Sequence, residues 1–210
     1  MFGGGKSPMY NRIAQMSVLY EDLRIEVTSL HKMVVKLQGI SDVSPQTYRI
    51  LYHQRRSLIS LSEFRGALNQ LCADQDFKKA IRNLPPLHKN GIGYANKEFE
   101  RHASKLKKWR DDFGGHYLFN VAEYATAHFP PEAVGKLEWM AESKEPFWLK
   151  LDYATEIILA GLQRTLGTSE NLMEDLTQAN ETISDLYRQA QTCMYSLVAA
   201  FILPRMELIA

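Results

Sequence analysis

Residues 172–203 read LMEDLTQANETISDLYRQAQTCMYSLVAAFIL, and this stretch decides the fold class. Leu172, Leu176, Ala179, Ile183, Leu186, Ala190, Cys193, Leu197 and Ala200 recur at alternating steps of four and three residues. Each pair of steps makes one heptad, close to two helical turns, so these side chains fall along one stripe of an α-helix. Pro204 stops the run. The same rhythm opens the chain, where Ile13, Met16, Tyr20, Leu23, Val27, Leu30, Val34 and Leu37 lie between Ser7-Pro8 and Gly39. A serine before a proline supplies a capping oxygen and then a preset helical φ. Each of these helices is roughly 45 Å long at 1.5 Å per residue. Their shared period predicts that they pack along one another, within the chain or across a dimer.

Between them the helix signals continue. Ser44-Pro45 starts a second helix that runs to about Ala73, with Leu51, Leu58, Leu61, Leu68 and Cys72 on one side. A shorter piece covers Asp76 to Arg82, followed by Leu84-Pro85-Pro86 and a loop to Gly93. A third helix is expected from near Tyr94, and a fourth from His116 to Phe129, closed by Pro130-Pro131. Residues 130–146 read as an irregular insertion, with Lys136 to Met140 a short strand. Phe147 to Leu166 is apolar on almost every side and is expected to be the most buried helix. Gly167-Thr168 separates it from the long C-terminal helix, residues 168–203. The expectation is an all-α, up-and-down helical bundle with long, heptad-patterned N- and C-terminal helices. A glycine-rich lead of residues 1–8 precedes one domain over residues 9–210.

Bulk chemistry narrows the functions. The 210 residues carry 25 Lys and Arg against 24 Asp and Glu, a net charge of +1, which argues against a protein that coats DNA. The 2 cysteines, Cys72 and Cys193, both sit in apolar stripes and read as buried thiols. No apolar run is long enough to span a bilayer, and the cytoplasm is the expected compartment. The histidines lack ligand spacing, and there is no HExxH, paired-cysteine, phosphate-loop or serine-triad pattern. Neither a metal nor a cofactor is expected.

One stretch stands apart: Trp109-Arg110-Asp111-Asp112-Phe113-Gly114-Gly115-His116. Phe99, Ala103, Leu106, Trp109 and Phe113 define the buried face of the third helix, and at about 100° per residue Arg110 falls on that face. On an unbroken helix Arg110 and His116 would point about 120° apart. The Gly-Gly pair is a poor helix interior and allows a break that swings His116 back beside Arg110. A guanidinium, an imidazole and a helix start then form a phosphate site.

These residues resemble the HEPN superfamily (higher eukaryote and prokaryote nucleotide-binding domains) of α-helical bundles. Its signature is an arginine followed by a polar residue, then a histidine after four to six intervening positions. Arg110, Asp111 and His116 fit it, with Gly114-Gly115 where many members carry ordinary helix formers. The resemblance implies a metal-independent endoribonuclease of a toxin–antitoxin, phage-defence or RNA-processing kind. It implies RNA as substrate, a homodimer that brings two motifs together and, for toxin members, an antitoxin partner. By the same resemblance His116 acts as general base on the 2′-hydroxyl, or as general acid to the 5′-oxygen. Arg110 stabilises the five-coordinate phosphate, and Asp111 orients the imidazole or the partner arginine. The products are a 2′,3′-cyclic phosphate and a 5′-hydroxyl.

Lys97, Arg101, Lys105 and Lys108 form a stripe opposite Leu106, read either as an RNA-backbone track to the motif or as a solvated helix face. Arg65 lies in an apolar stripe and is expected to pair with a carboxylate or with the substrate phosphate. Arg110 in a structural salt bridge and His116 as a capping or core residue are the plain alternatives. Two rival functions stay open: a non-catalytic helical dimerisation or interaction module, and an RNA- or nucleotide-binding HEPN subunit without cleavage activity.

Overall fold

Proline marks the start of three helices. The computed structural model describes residues 8–37, 45–111, 137–140, 148–151 and 172–206. Helix α1 runs Pro8–Leu37, α2 Pro45–Ala73 and α4 Pro86–Arg101. In each the proline occupies the first turn, where no N–H is needed for the helical ladder. Between α2 and α4, the Asp74 carboxylate accepts from the N–H groups of Asp76 (2.9 Å) and Phe77 (3.1 Å), which caps α3, Gln75–Arg82. Helix α5, Ala103–Trp109, follows α4 after one irregular residue. A two-stranded antiparallel ribbon, β1 (Leu137–Met140) and β2 (Trp148–Leu151), places Leu137 opposite Leu151 and Met140 opposite Trp148. Helix α6, Leu172–Leu197, passes into a π-helical turn at Val198–Ile202 and a last turn, α7, at Leu203–Met206.

Apart from this ribbon, the described residues form an all-α helical bundle. Helix α1 lies along α2, α4 lies along α6, and α6 also meets α1 and α2. The seams expected from the heptads close inside the chain. Ile13, Met16, Leu23, Val27 and Leu30 of α1 are buried with Leu51, Leu58, Leu61 and Leu68 of α2. Ala179, Ile183, Leu186, Ala190, Cys193 and Leu197 of α6 join the same core. The two heptad helices meet at Tyr20 and Tyr187, whose rings stack 6.0 Å apart and nearly parallel. Burial and then the Tyr187 hydrogen bond push the Tyr20 phenol up to about 12. Their main neighbours, however, are α2 for α1 and α4 for α6.

The α4–α6 contact is unusually close at one glycine. A Cβ on Gly91 would stand 2.5 Å from Ser196 Oγ, so a larger residue there requires Ser196 to turn or the helices to part. Further along, Lys105 reaches Thr182, so the α4–α5 segment runs antiparallel to α6. One amide crosses the core: Gln54, fully buried on α2, donates from Nε2 to Asn180 Oδ1 of α6 at 3.0 Å. Its Oε1 has no hydrogen-bond partner among the described residues.

Several boundaries differ from the sequence reading. The expected loop from Pro86 to Gly93 is helical, and α4 begins eight residues before Tyr94. Ile92, Ala95 and Phe99 bury one face of a continuous helix through Gly91 and Gly93, and tertiary burial outweighs glycine's propensity. The strand expected at Lys136 to Met140 is present at Leu137–Met140. Its partner falls within the run read as a buried helix, where Trp148–Leu151 is extended. A short apolar run has no period that separates strand from buried helix. The rest of that run, and the helix expected at 116–129, lie outside the described residues. Cys72 and Cys193 are free thiols, and burial raises both, Cys72 to about 11. No helix among the described residues is long and apolar enough to cross a membrane.

Candidate nucleic-acid interface at the end of α5

The site expected from the sequence lies at the end of the α4–α5 segment. His102 interrupts the helix with φ −96° and ψ 7°, yet the ladder continues around it. Its N–H donates to Glu98 O at 3.2 Å, and Leu106 N–H donates to His102 O at 2.8 Å. Helix α5 is held by Leu106 and Trp109, both buried against the core. Its last turn slips into π geometry at Arg110 and Asp111, and the Arg110 N–H is shared between Leu106 O and Lys107 O.

The key arginine is not where its spacing suggests. The unbroken periodicity puts Arg110 on the buried face; the structure puts it on the exposed one. Arg110 is the C-cap of α5, one residue past Trp109, the last side chain of that helix to be buried in the core. Arg110 is therefore a solvated guanidinium at a helix end rather than a charge held in the core. Asp111 beside it is half-buried. His116 lies outside the described residues, as do Gly114 and Gly115.

The basic stripe is only partly what its spacing suggests. Lys97, Arg101 and Lys108 are exposed. Arg101 also bridges to Glu98 at 3.2 Å within its own helix. Lys105 departs from the pattern: its Nζ sits 4.5 Å from the centre of the Trp109 ring and donates to Thr182 Oγ1 at 3.4 Å. These contacts tie α5 to α6, and the partial burial that comes with them lowers the Lys105 pKa. Lys107, which the stripe omits, is exposed beside Lys108, and its signal was adjacency rather than helical spacing. The exposed cations at this end are thus Lys97, Arg101, Lys107, Lys108 and Arg110.

His102 is half-buried, and burial, then the charges of Arg101 and Lys105, lower its imidazole against the opposing pull of Glu98 and Asp185. Arg65 pairs with a carboxylate, as expected, and donates to Glu100 through Nε (3.0 Å) and Nη2 (3.2 Å). On the far side of α2, His53 Nδ1 and Glu26 Oε2 lie 2.6 Å apart, with Arg56 Nε 3.8 Å from the other carboxylate oxygen. Among the described residues no three His, Cys, Asp or Glu side chains are grouped to hold a metal.

The arrangement can bind polyanions. It offers exposed cations on one side of the segment, Lys97, Arg101 and Lys108, and on another side, at the end of α5, a guanidinium able to take two phosphate oxygens. No protein-family model, characterised protein or solved structure matches this chain, so its chemistry is argued from its own residues.

Proposed function

We propose that this protein is an RNA-binding, metal-independent endoribonuclease of HEPN type, acting in the cytoplasm as a toxin or phage-defence nuclease. The observation that supports this reading is the exposure of Arg110 at the end of α5. A polynucleotide can reach it there, and the exposed Lys97, Arg101 and Lys108 add long-range attraction for its phosphates. Arg110 takes the scissile phosphate and counters the charge that grows in the transition state. His116 transfers the proton, and Asp111 orients it. A homodimer sets two such motifs against each other, as in the family the sequence resembles.

The test is cleavage of RNA in the presence of chelator. Wild type should leave 2′,3′-cyclic phosphate ends, and His116→Ala and Arg110→Ala should each slow cleavage by about 100-fold or more while keeping the wild-type circular dichroism and melting curve. Cleavage that persists unchanged in both variants, or wild type that never cleaves, defeats the proposal.

A further inference from the structure

From Phe77 to Lys97 the chain carries Lys78, Lys79, Arg82, Lys89 and Lys97 and not one Asp or Glu. The first four of these cations gather at one end of the bundle. There the start of α4 lies against the end of α6: Gly91 faces Ser196, and the ring of His88 stands 6.4 Å from that of Tyr195. Helix α3 joins the same end through Phe77, whose ring is 5.7 Å from that of Phe201. Residues 64–73 and 186–206, which also meet there, contain no acid either. Asp74 is spent on capping α3, and Asp76 lies in the first turn of that helix, where the free N–H groups favour a carboxylate.

The cations are uncommitted. Lys78, Lys79 and Arg82 lie at about 100°, 200° and 140° around α3 from the buried Phe77, and all three are exposed. Among the described residues neither they nor Lys89 take part in an ion pair. Beyond Arg82 the chain turns through Asn83, Leu84 and Pro85 and presents Leu87, 71% exposed, in the first turn of α4. The antiparallel pairing of Gly91 with Ser196 brings Leu203, 47% exposed, close to the level of Leu84 in that turn.

From this we propose that this end of the bundle docks on an anionic membrane surface, with Leu87 entering the acyl boundary and Lys78, Lys79, Arg82 and Lys89 meeting lipid phosphates. A single apolar insertion or a few charges alone give marginal binding, and the two together hold a protein at the interface. A polynucleotide or an acidic peptide would use the cations and leave Leu87 in water. The net charge is only +1, so the attraction comes from this local segregation and not from the molecule as a whole. Other surfaces have one element without the other. Val18 and Ile25 on α1 are exposed beside Glu21 and Asp22, and α5 exposes Lys107 and Lys108 with no exposed large apolar side chain. The inference is independent of the nuclease reading above.

The experiment is sedimentation of the full chain with vesicles of phosphatidylcholine, alone or mixed with phosphatidylglycerol, at near-physiological ionic strength. Wild type should bind only the mixed vesicles, and added salt should weaken the binding. Lys78→Gln, Lys79→Gln and Arg82→Gln together should weaken it by about a hundredfold, and Leu87→Ser by about tenfold. Lys107→Gln with Lys108→Gln should leave it unchanged. All these positions are exposed, so circular dichroism and melting should match wild type. Leu87→Trp gives a second readout, because brominated acyl chains should quench its emission beyond the quenching seen in wild type. Wild type that ignores the mixed vesicles, a triple variant that binds them equally well, or a Leu87→Trp emission that bromine does not reach overturns the proposal. A triple variant that loses RNA affinity but holds vesicles as wild type does makes the patch a polynucleotide contact, and the membrane proposal falls. Cleavage by wild type and His116→Ala is measured without vesicles, so the two readings fail separately.

Discussion

Arg65 and Glu100 clamp α2 to the end of α4 through two parallel hydrogen bonds, Nε to Oε1 at 3.0 Å and Nη2 to Oε2 at 3.2 Å. Asn69 Nδ2 adds a third to Oε1 at 2.7 Å. The Arg65 and Asn69 hydrogen bonds hold the Glu100 carboxyl below its ordinary pKa, so the folded state binds its proton less readily than the unfolded chain. The stabilisation is complete above the ordinary carboxylate range and is lost as pH falls through the lowered value. Glu100 is 45% exposed, which screens the pair. Glu100→Gln should cost about 0.5–1 kcal/mol at neutral pH, and the gap from wild type should close in acid. Urea melts at several pH values provide the check, and a gap that widens in acid contradicts it.

Two glycines of α4 should respond in opposite directions. Alanine forms helix better than glycine by about 1 kcal/mol, and Gly93 has nothing within 4 Å of a new Cβ, so Gly93→Ala should stabilise by about 0.5–1 kcal/mol. Gly91→Ala places its Cβ against Ser196 Oγ and should destabilise by about 1–3 kcal/mol as an overpacked contact. Ser196→Ala in the same chain should recover part of that loss. Thermal melts of the three variants decide the matter.

Lys105 should behave as a structural lysine. Its ammonium lies over Trp109, so Lys105→Ala should lower stability by about 0.5–2 kcal/mol. The salt dependence of RNA affinity should stay as in wild type. Lys108→Ala should leave stability unchanged and flatten that dependence by about 0.7 in the log–log slope. Titrations at a series of salt concentrations separate the two, and identical slopes for both variants would remove the distinction.

Thiol reactivity should report global unfolding. Burial raises Cys72 to about 11 and Cys193 further, so neither ionises at neutral pH in the folded protein. Cys193 is wholly buried, and its reaction with a disulfide reagent should rise with denaturant along the unfolding curve measured by circular dichroism. Rapid modification of Cys193 in the native protein would count against this packing.

Much of the bundle was legible because the α1, α2 and α6 stripes are long and regular. Ile13 through Leu30 and Ala179 through Leu197 are buried largely as their heptads predict, and a proline opens α1 and α2 where a start was expected. Periodicity lost its value where the helix is not uniform. Arg110 is the C-cap of α5, and periodicity does not say that the buried stripe stops at Trp109 before it. Lys105 spaces like a surface lysine, and nothing local announces that Trp109 and Thr182 receive its head. The early start of α4 was hidden because Gly91 and Gly93 look like loop residues until α6 is seen against Gly91.

The buried amide of Gln54 has an effect on how the chain finds its shape. Apolar heptads are nearly self-similar, so helices such as α2 and α6 could slide by two turns and still present leucine to leucine. With Gln54 hydrogen-bonded to Asn180, such a slide would strand a carboxamide in hydrocarbon. A single polar contact thereby excludes the misaligned neighbours of the native bundle, and Gln54→Leu should give a protein that is harder to unfold but less unique in its registry.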